Sequence, residues 1–150
     1  MLIQVPRSPK TLRLPLQLER EIEREFHLRG IREWSAGVVD LLSEAVRMRR
    51  VPGIWFVDGI YGRRAAIAGT GLEVWEVIAT WKALGSDEER LRTAYYWLTP
   101  AQLRAALTYY SLYPEEIDAR LQLEENWSPD RIREELRFAS LGPGLSTNSQ

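Results

Sequence analysis

The 150-residue sequence contains no cysteine, so neither disulfides nor thiolate metal sites are open to it. It has one histidine, His27, and a single imidazole cannot build a histidine metal triad, although carboxylates alone can hold Mg²⁺. No apolar run approaches the roughly 18 residues of a membrane span. Met1-Leu2-Ile3-Gln4-Val5-Pro6 lacks the basic start and apolar core of a secretory signal. There is no P-loop and no nucleophile elbow. The acidic groups Glu115-Glu116-Asp118 and Glu124-Glu125 fall on amphipathic stretches and read as solvated faces. These absences predict a cytoplasmic, non-enzymatic protein with no cofactor, no metal and no membrane partner.

What is present is an ordinary globular balance, 45 % hydrophobic and 27 % charged, with a net charge of −1. The charge is unevenly spread. Residues 1–50 carry 10 Lys or Arg against 7 Asp or Glu, and residues 51–150 carry 10 against 14. A basic head on an acidic body suits contact with nucleic acid at one end and with another partner at the other.

The head has its own punctuation. Residues 1–9 hold Pro6 and Pro9 and read as an arm. In Lys10-Thr11-Leu12-Arg13-Leu14-Pro15 polar and apolar residues alternate, so Leu12 and Leu14 share one face of a strand while Thr11 and Arg13 share the other. Residues 16–29 have helical period, with Leu18, Ile22 and Phe26 on one stripe and Gly30 as the stop. A second helix follows, with Val38, Leu41, Leu42 and Ala45 at core spacing and Arg47, Arg49 and Arg50 near its end.

One strand and two helices bury too little to stand alone, and a lone strand has two open edges that invite pairing with a second copy. Two such strands form an antiparallel ribbon whose outer face shows Thr11 and Arg13 twice, and a two-stranded ribbon fits the DNA major groove. With Leu12-x-Leu14-Pro15, Leu18, Ile22, Gly30 and Ile31 in this order, residues 10–50 resemble the ribbon-helix-helix repressors. The resemblance implies a homodimer on operator DNA. It places Thr11 and Arg13 at base-reading positions, and Lys10 with the amides of Trp34 and Ser35 at phosphate contacts.

Val51-Pro52-Gly53 marks a domain boundary between residues 1–50 and 54–140. Ile54-Trp55-Phe56-Val57 with Asp58-Gly59 predicts a short β-hairpin returning through Ile60-Tyr61, and Ala65–Ala68 a further extended piece. The rest is helical. Val74, Trp75, Ile78 and Trp81 mark one helix. Ser86 with Glu89 predicts a capping box for the next, which carries Leu91, Tyr95 and Leu98. Thr99-Pro100-Ala101-Gln102 opens another, with Leu103, Ala106, Leu107 and Tyr110. Pro114 starts a helix with Ile117 and Leu121. Ser128-Pro129 starts a last one with Ile132, Leu136 and Ala139, and residues 141–150 read as a disordered tail. The fold expected is mainly α: a β-α-α dimerising module, then a helical bundle with a short hairpin.

Several motifs of the second domain occur in a family-like order. They are Gly62-Arg63-Arg64-Ala65-Ala66-Ile67-Ala68-Gly69-Thr70, Val74-Trp75-Glu76-Val77-Ile78, and Leu98-Thr99-Pro100 through Ala106-Leu107. Residues 54–120 are similar to a bacterial family long labelled a domain of unknown function and treated as VapB-like antitoxins. Its pattern is G-K-P-x-I-x-G-T-R, V-x-D-I-L, then L-T-x-x-x-x-x-A-L. The resemblance implies a helix-turn-helix-like bundle beside a PIN-type ribonuclease toxin that it neutralises. The chain departs from the pattern at Gly71, where the family carries arginine, and at Arg63-Arg64.

The function expected is an antitoxin that binds operator DNA as a dimer and masks a ribonuclease with its C-terminal part. The alternative is a stand-alone transcriptional regulator whose second domain binds a small ligand or a protein. PIN-type nucleases hold Mg²⁺ with clustered carboxylates, and arginine binds carboxylates as a fork. Arg131, Arg133 and Arg137, with Ile132 and Leu136 as apolar anchors, are therefore the expected toxin contacts; the equal alternative is that this helix packs on its own bundle and its arginines pair with Glu134, Glu135 or Glu124.

Overall fold

A computed structural model of the chain describes residues 8–59 and 62–126, together with Ser128, Asp130 and Arg133. The described residues are mainly helical, with one two-stranded antiparallel sheet. They divide into two compact units, Met1–Ala45 and Val46–Gln150.

In the first unit, α1 (Leu16–Arg29) begins after Pro15 and stops at Gly30. Gly30 sits at φ 68°, where a side chain would be strained, and its amide donates back to His27 O. α2 spans Trp34–Arg50, so the division between the units falls inside this helix. Phe26 is buried, its ring lying over Gly37 of α2. The strand expected at residues 10–14 is not formed: residues 8–15 carry no regular structure. A strand exists only as part of a hydrogen-bonded ladder, and the single chain supplies these residues with no partner.

In the second unit, β1 (Ile54–Gly59) pairs with β2 (Gly62–Ile67) from Ile54↔Ile67 to Gly59↔Gly62. The hairpin is longer than its sequence suggests. Asp58 and Gly59 belong to β1 rather than to the turn, and Ala65–Ile67 belong to the returning strand rather than to a separate piece. Residues 60 and 61 lie outside the described residues. After β2, Thr70 ties a turn together: its hydroxyl donates to Ile67 O at 2.8 Å and accepts from Leu72 N at 3.1 Å.

Among the described residues four helices complete the unit: α3 (Val74–Ala83), α4 (Glu88–Ala94), α5 (Pro100–Leu112) and α6 (Pro114–Asn126). α5 begins with the expected capping box, Gln102 N donating to Thr99 Oγ1 at 3.1 Å and Thr99 N to Gln102 Oε1 at 2.9 Å. The cap of α4 differs from expectation. Asp87, not Ser86, accepts from Glu89 N and Arg90 N, because Ser86 stands at φ 59° in the turn after Gly85. A carboxylate there also favours the positive end of the helix dipole.

The core of this unit joins the inner face of the hairpin, Ile54, Ala65 and Ile67, to Val74, Val77 and Ile78 of α3. Leu91, Leu103, Ala106, Tyr109 and Ile117 close it from α4, α5 and α6. Full burial of each large apolar side chain contributes about 1.5–3 kcal/mol before the cost of ordering the chain. No helix among the described residues is long and apolar enough to cross a membrane.

Candidate nucleic-acid and partner interface

The residues expected to meet DNA are exposed. Lys10, Thr11 and Arg13 precede α1, and Trp34 and Ser35 open α2. Leu12 is 67 % exposed beside them and Leu14 is half-buried. Leu12 therefore stands in solvent together with the polar residues of the 10–14 segment. The nearby helices add to this apolar surface: Leu16, Leu28, Val39 and Leu42 all stand exposed, Leu28 at 75 %. His27 is exposed on α1.

Of the residues expected to touch a toxin, Arg131, Ile132, Leu136 and Arg137 lie outside the described residues. Arg133 is exposed and lies 4.0 Å from Asp130. Among the described residues no group of histidines and carboxylates is arranged to hold a metal ion.

The second unit contains polar clusters that sequence reasoning missed. Tyr109, fully buried, donates its hydroxyl to Glu116 Oε2 at 2.5 Å and accepts from Arg47 Nη1 at 2.9 Å. Arg47 also reaches Glu116 at 2.7 Å and lies 4.4 Å from the centre of the Tyr113 ring. Burial pushes the Tyr109 hydroxyl well above the usual phenol range, and the Glu116 carboxylate it bonds pushes it further. On α6, Asp118 accepts from Tyr110 at 2.7 Å and from Lys82 at 3.2 Å. The Tyr110 hydrogen bond, aided by Lys82, holds the Asp118 carboxyl below its ordinary pKa.

Glu116 and Asp118 are thus bonded rather than merely solvated. The signal was the placing of Tyr109 and Tyr110 seven and eight residues before the acids they bond, with Pro114 between them, which puts phenols and carboxylates on either side of one helix junction.

Arg63 and Arg64 of β2 both lie near carboxylates. Arg63 lies 3.2 Å from Asp58 across the hairpin, and Arg64, largely buried, lies 3.8 Å from Glu73. Gly71 is exposed, and a Cβ there would meet nothing within 4 Å. With Trp75, Glu116, Ile117 and Arg120, the two arginines line a cleft of about 240 Å³. A second cleft of about 340 Å³ lies between α4 and α5 and is lined by Arg92, Arg104 and Thr108 among others.

The family model described as "Protein of unknown function (DUF433)" matches residues 56–110, from β1 to near the end of α5. A solved structure, a DUF433 member protein from Anabaena variabilis ATCC 29413, is 33 % identical over 57 % of this chain and 82 % of that one, with a TM-score of 0.40. The chain belongs to the DUF433 family. A search of curated proteins returns no match. The DUF433 match covers the hairpin and α3 to α5. The N-terminal unit, with Thr11 and Arg13, lies outside the matched residues.

Proposed function

We propose that this DUF433 protein is an antitoxin of a type II toxin–antitoxin system. Its N-terminal unit is a ribbon-helix-helix module that binds operator DNA as a homodimer. Its C-terminal part neutralises a PIN-type ribonuclease.

One observation carries the reading: the N-terminal unit does not bury its own apolar surface. Phe26 is its one large buried side chain among the described residues, while Leu12, Leu16, Leu28, Val39 and Leu42 face solvent. Exposed apolar surface of this extent marks an interface. A second copy completes the unit most economically. Pairing of the two 10–14 segments gives each strand its missing ladder and turns Leu12 and Leu14 inward. The same alternation turns Thr11 and Arg13 outward, where arginine forks onto guanine O6 and N7 and threonine meets a base or a thymine methyl. The basic excess of residues 1–50 supports the same end for DNA.

The toxin-neutralising part rests on the family resemblance and on the arginine spacing after Ser128. The test is direct. The product of the gene beside this one is purified and its ribonuclease activity titrated with the full chain. Inhibition at a fixed stoichiometry is expected, and undiminished activity in excess chain contradicts the reading.

A second reading, a stand-alone regulator whose second unit binds a ligand or a protein, is favoured by the cleft at Arg64, Trp75 and Arg120. The volume of that cleft, about 240 Å³, lies below the roughly 300 Å³ at which small-molecule sites begin.

A further inference from the structure

The second unit uses most of its arginines to tie itself together. Arg47 is held by Tyr109 and Glu116, Arg63 by Asp58, Arg64 by Glu73, and Arg120 by Glu124. Arg92 of α4 and Arg104 of α5 behave differently. The side chain of neither makes a hydrogen bond or an ion pair with any described residue. Both line the cleft of about 340 Å³ between the two helices.

Arg104, Thr108 and Ser111 follow one another along a single stripe of α5 at helical spacing, and all three line that cleft. Thr108 is exposed and its hydroxyl is unused, whereas its carbonyl accepts from Ser111 Oγ at 2.7 Å. The cleft also has one carboxylate, Glu88, a full turn before Arg92 and not paired with it. Two guanidinium groups therefore face one carboxylate, which leaves the cleft with a surplus positive charge and a spare hydroxyl donor.

We propose that this cleft is a second nucleic-acid contact, seating a phosphodiester of the DNA backbone. The inference rests on the DNA-binding reading above and extends it to the second unit. Guanidinium groups bind phosphate oxygens as a fork, and threonine and serine hydroxyls are common partners of the same oxygens. α4 and α5 are joined by the short turn 95–99, and both pack against α3, so the two arginines are carried on elements with a common support. Contacts of this kind add affinity without adding sequence preference. The competing occupant is an acidic segment of a protein partner.

The experiment uses the full chain, the duplex upstream of its own gene, and a scrambled duplex of equal length. Binding is followed across a range of salt concentrations for wild type, Arg92→Ala/Arg104→Ala, Arg92→Lys/Arg104→Lys and Arg13→Ala. The alanine pair is expected to weaken both duplexes by the same factor. It should also lower the slope of log K against log salt by about 0.9 for each phosphate it no longer neutralises. The lysine pair restores most of that slope. Arg13→Ala instead loses discrimination between the duplexes. An alanine pair with wild-type circular dichroism, affinity and salt slope overturns the inference. So does an alanine pair that binds both duplexes normally but fails to inhibit the neighbouring ribonuclease, since the cleft then serves a protein. If wild type binds neither duplex in a salt-dependent way, the DNA reading of the chain fails first and this inference with it.

Discussion

The ring of Phe26 occupies the space that a side chain at Gly37 would need: a Cβ on Gly37 would stand 2.6 Å from Phe26 Cζ. α1 and α2 therefore meet where one helix offers an aromatic ring and the other offers bare backbone. Gly37→Ala inserts a methyl group into that contact, and overpacking of this kind costs about 1–3 kcal/mol. The variant is expected to unfold at lower denaturant concentration, with the slope of the transition unchanged, in urea titrations followed by circular dichroism. An unchanged midpoint means that Phe26 moves aside without loss.

Removing the Tyr109 hydroxyl leaves Arg47 and Glu116 facing one another with an apolar edge between them. A hydrogen bond to a charged group is worth about 1.5–3 kcal/mol, so Tyr109→Phe should destabilise the second unit by that order. Thermal unfolding measures it. Arg47→Met in the same background should cost less than it does in wild type, because the two groups act on one carboxylate.

Asp118 supplies a pH test. Its carboxyl is held below its ordinary pKa by Tyr110 and Lys82, so it binds protons more weakly folded than unfolded. Its contribution to stability is therefore present above the ordinary carboxylate pKa and is lost as pH falls through the lowered folded value. Between about pH 5 and about pH 3 wild type should lose more stability than Asp118→Asn. The group is exposed, so the effect is small. Equal losses for the two proteins would remove the proton linkage from this site.

The proposed dimer rests on Leu12 and Leu14. Substituting both with aspartate places charge in the proposed ribbon core and should convert the protein to a monomer of 17.4 kDa in sedimentation velocity. A dimer that survives the double substitution puts the interface elsewhere.

Punctuation was the most legible part of the sequence. Gly30 ends α1, Thr99-Pro100 opens α5, and Pro114 opens α6, because these residues act on the backbone within one turn of themselves. Asp58-Gly59 misled: it has the composition of a tight turn, but the register is set by Ile54 and Phe56 facing the core, and it carries both residues into β1. Ser86 misled for a related reason, since Asp87 one residue later is an equally good cap and the chain turns at Gly85.

The candidate site was legible as residue types and not as contacts. Arg47 near the end of α2 reads as a cation at a helix terminus, and nothing local says that it bonds Tyr109, 62 residues later. The strand expected at residues 10–14 failed for a related reason: alternation marks a strand, but a strand forms only against a partner strand, and none is described for these residues.

The most direct test of the account is binding of the full chain to the duplex upstream of its own gene, set against a scrambled duplex at the same salt concentration. The account predicts two chains per site and a preference of about 10³-fold or more for the upstream duplex, falling sharply in the Arg13→Ala variant. Equal affinity for the two duplexes, or one chain bound per site, would contradict it.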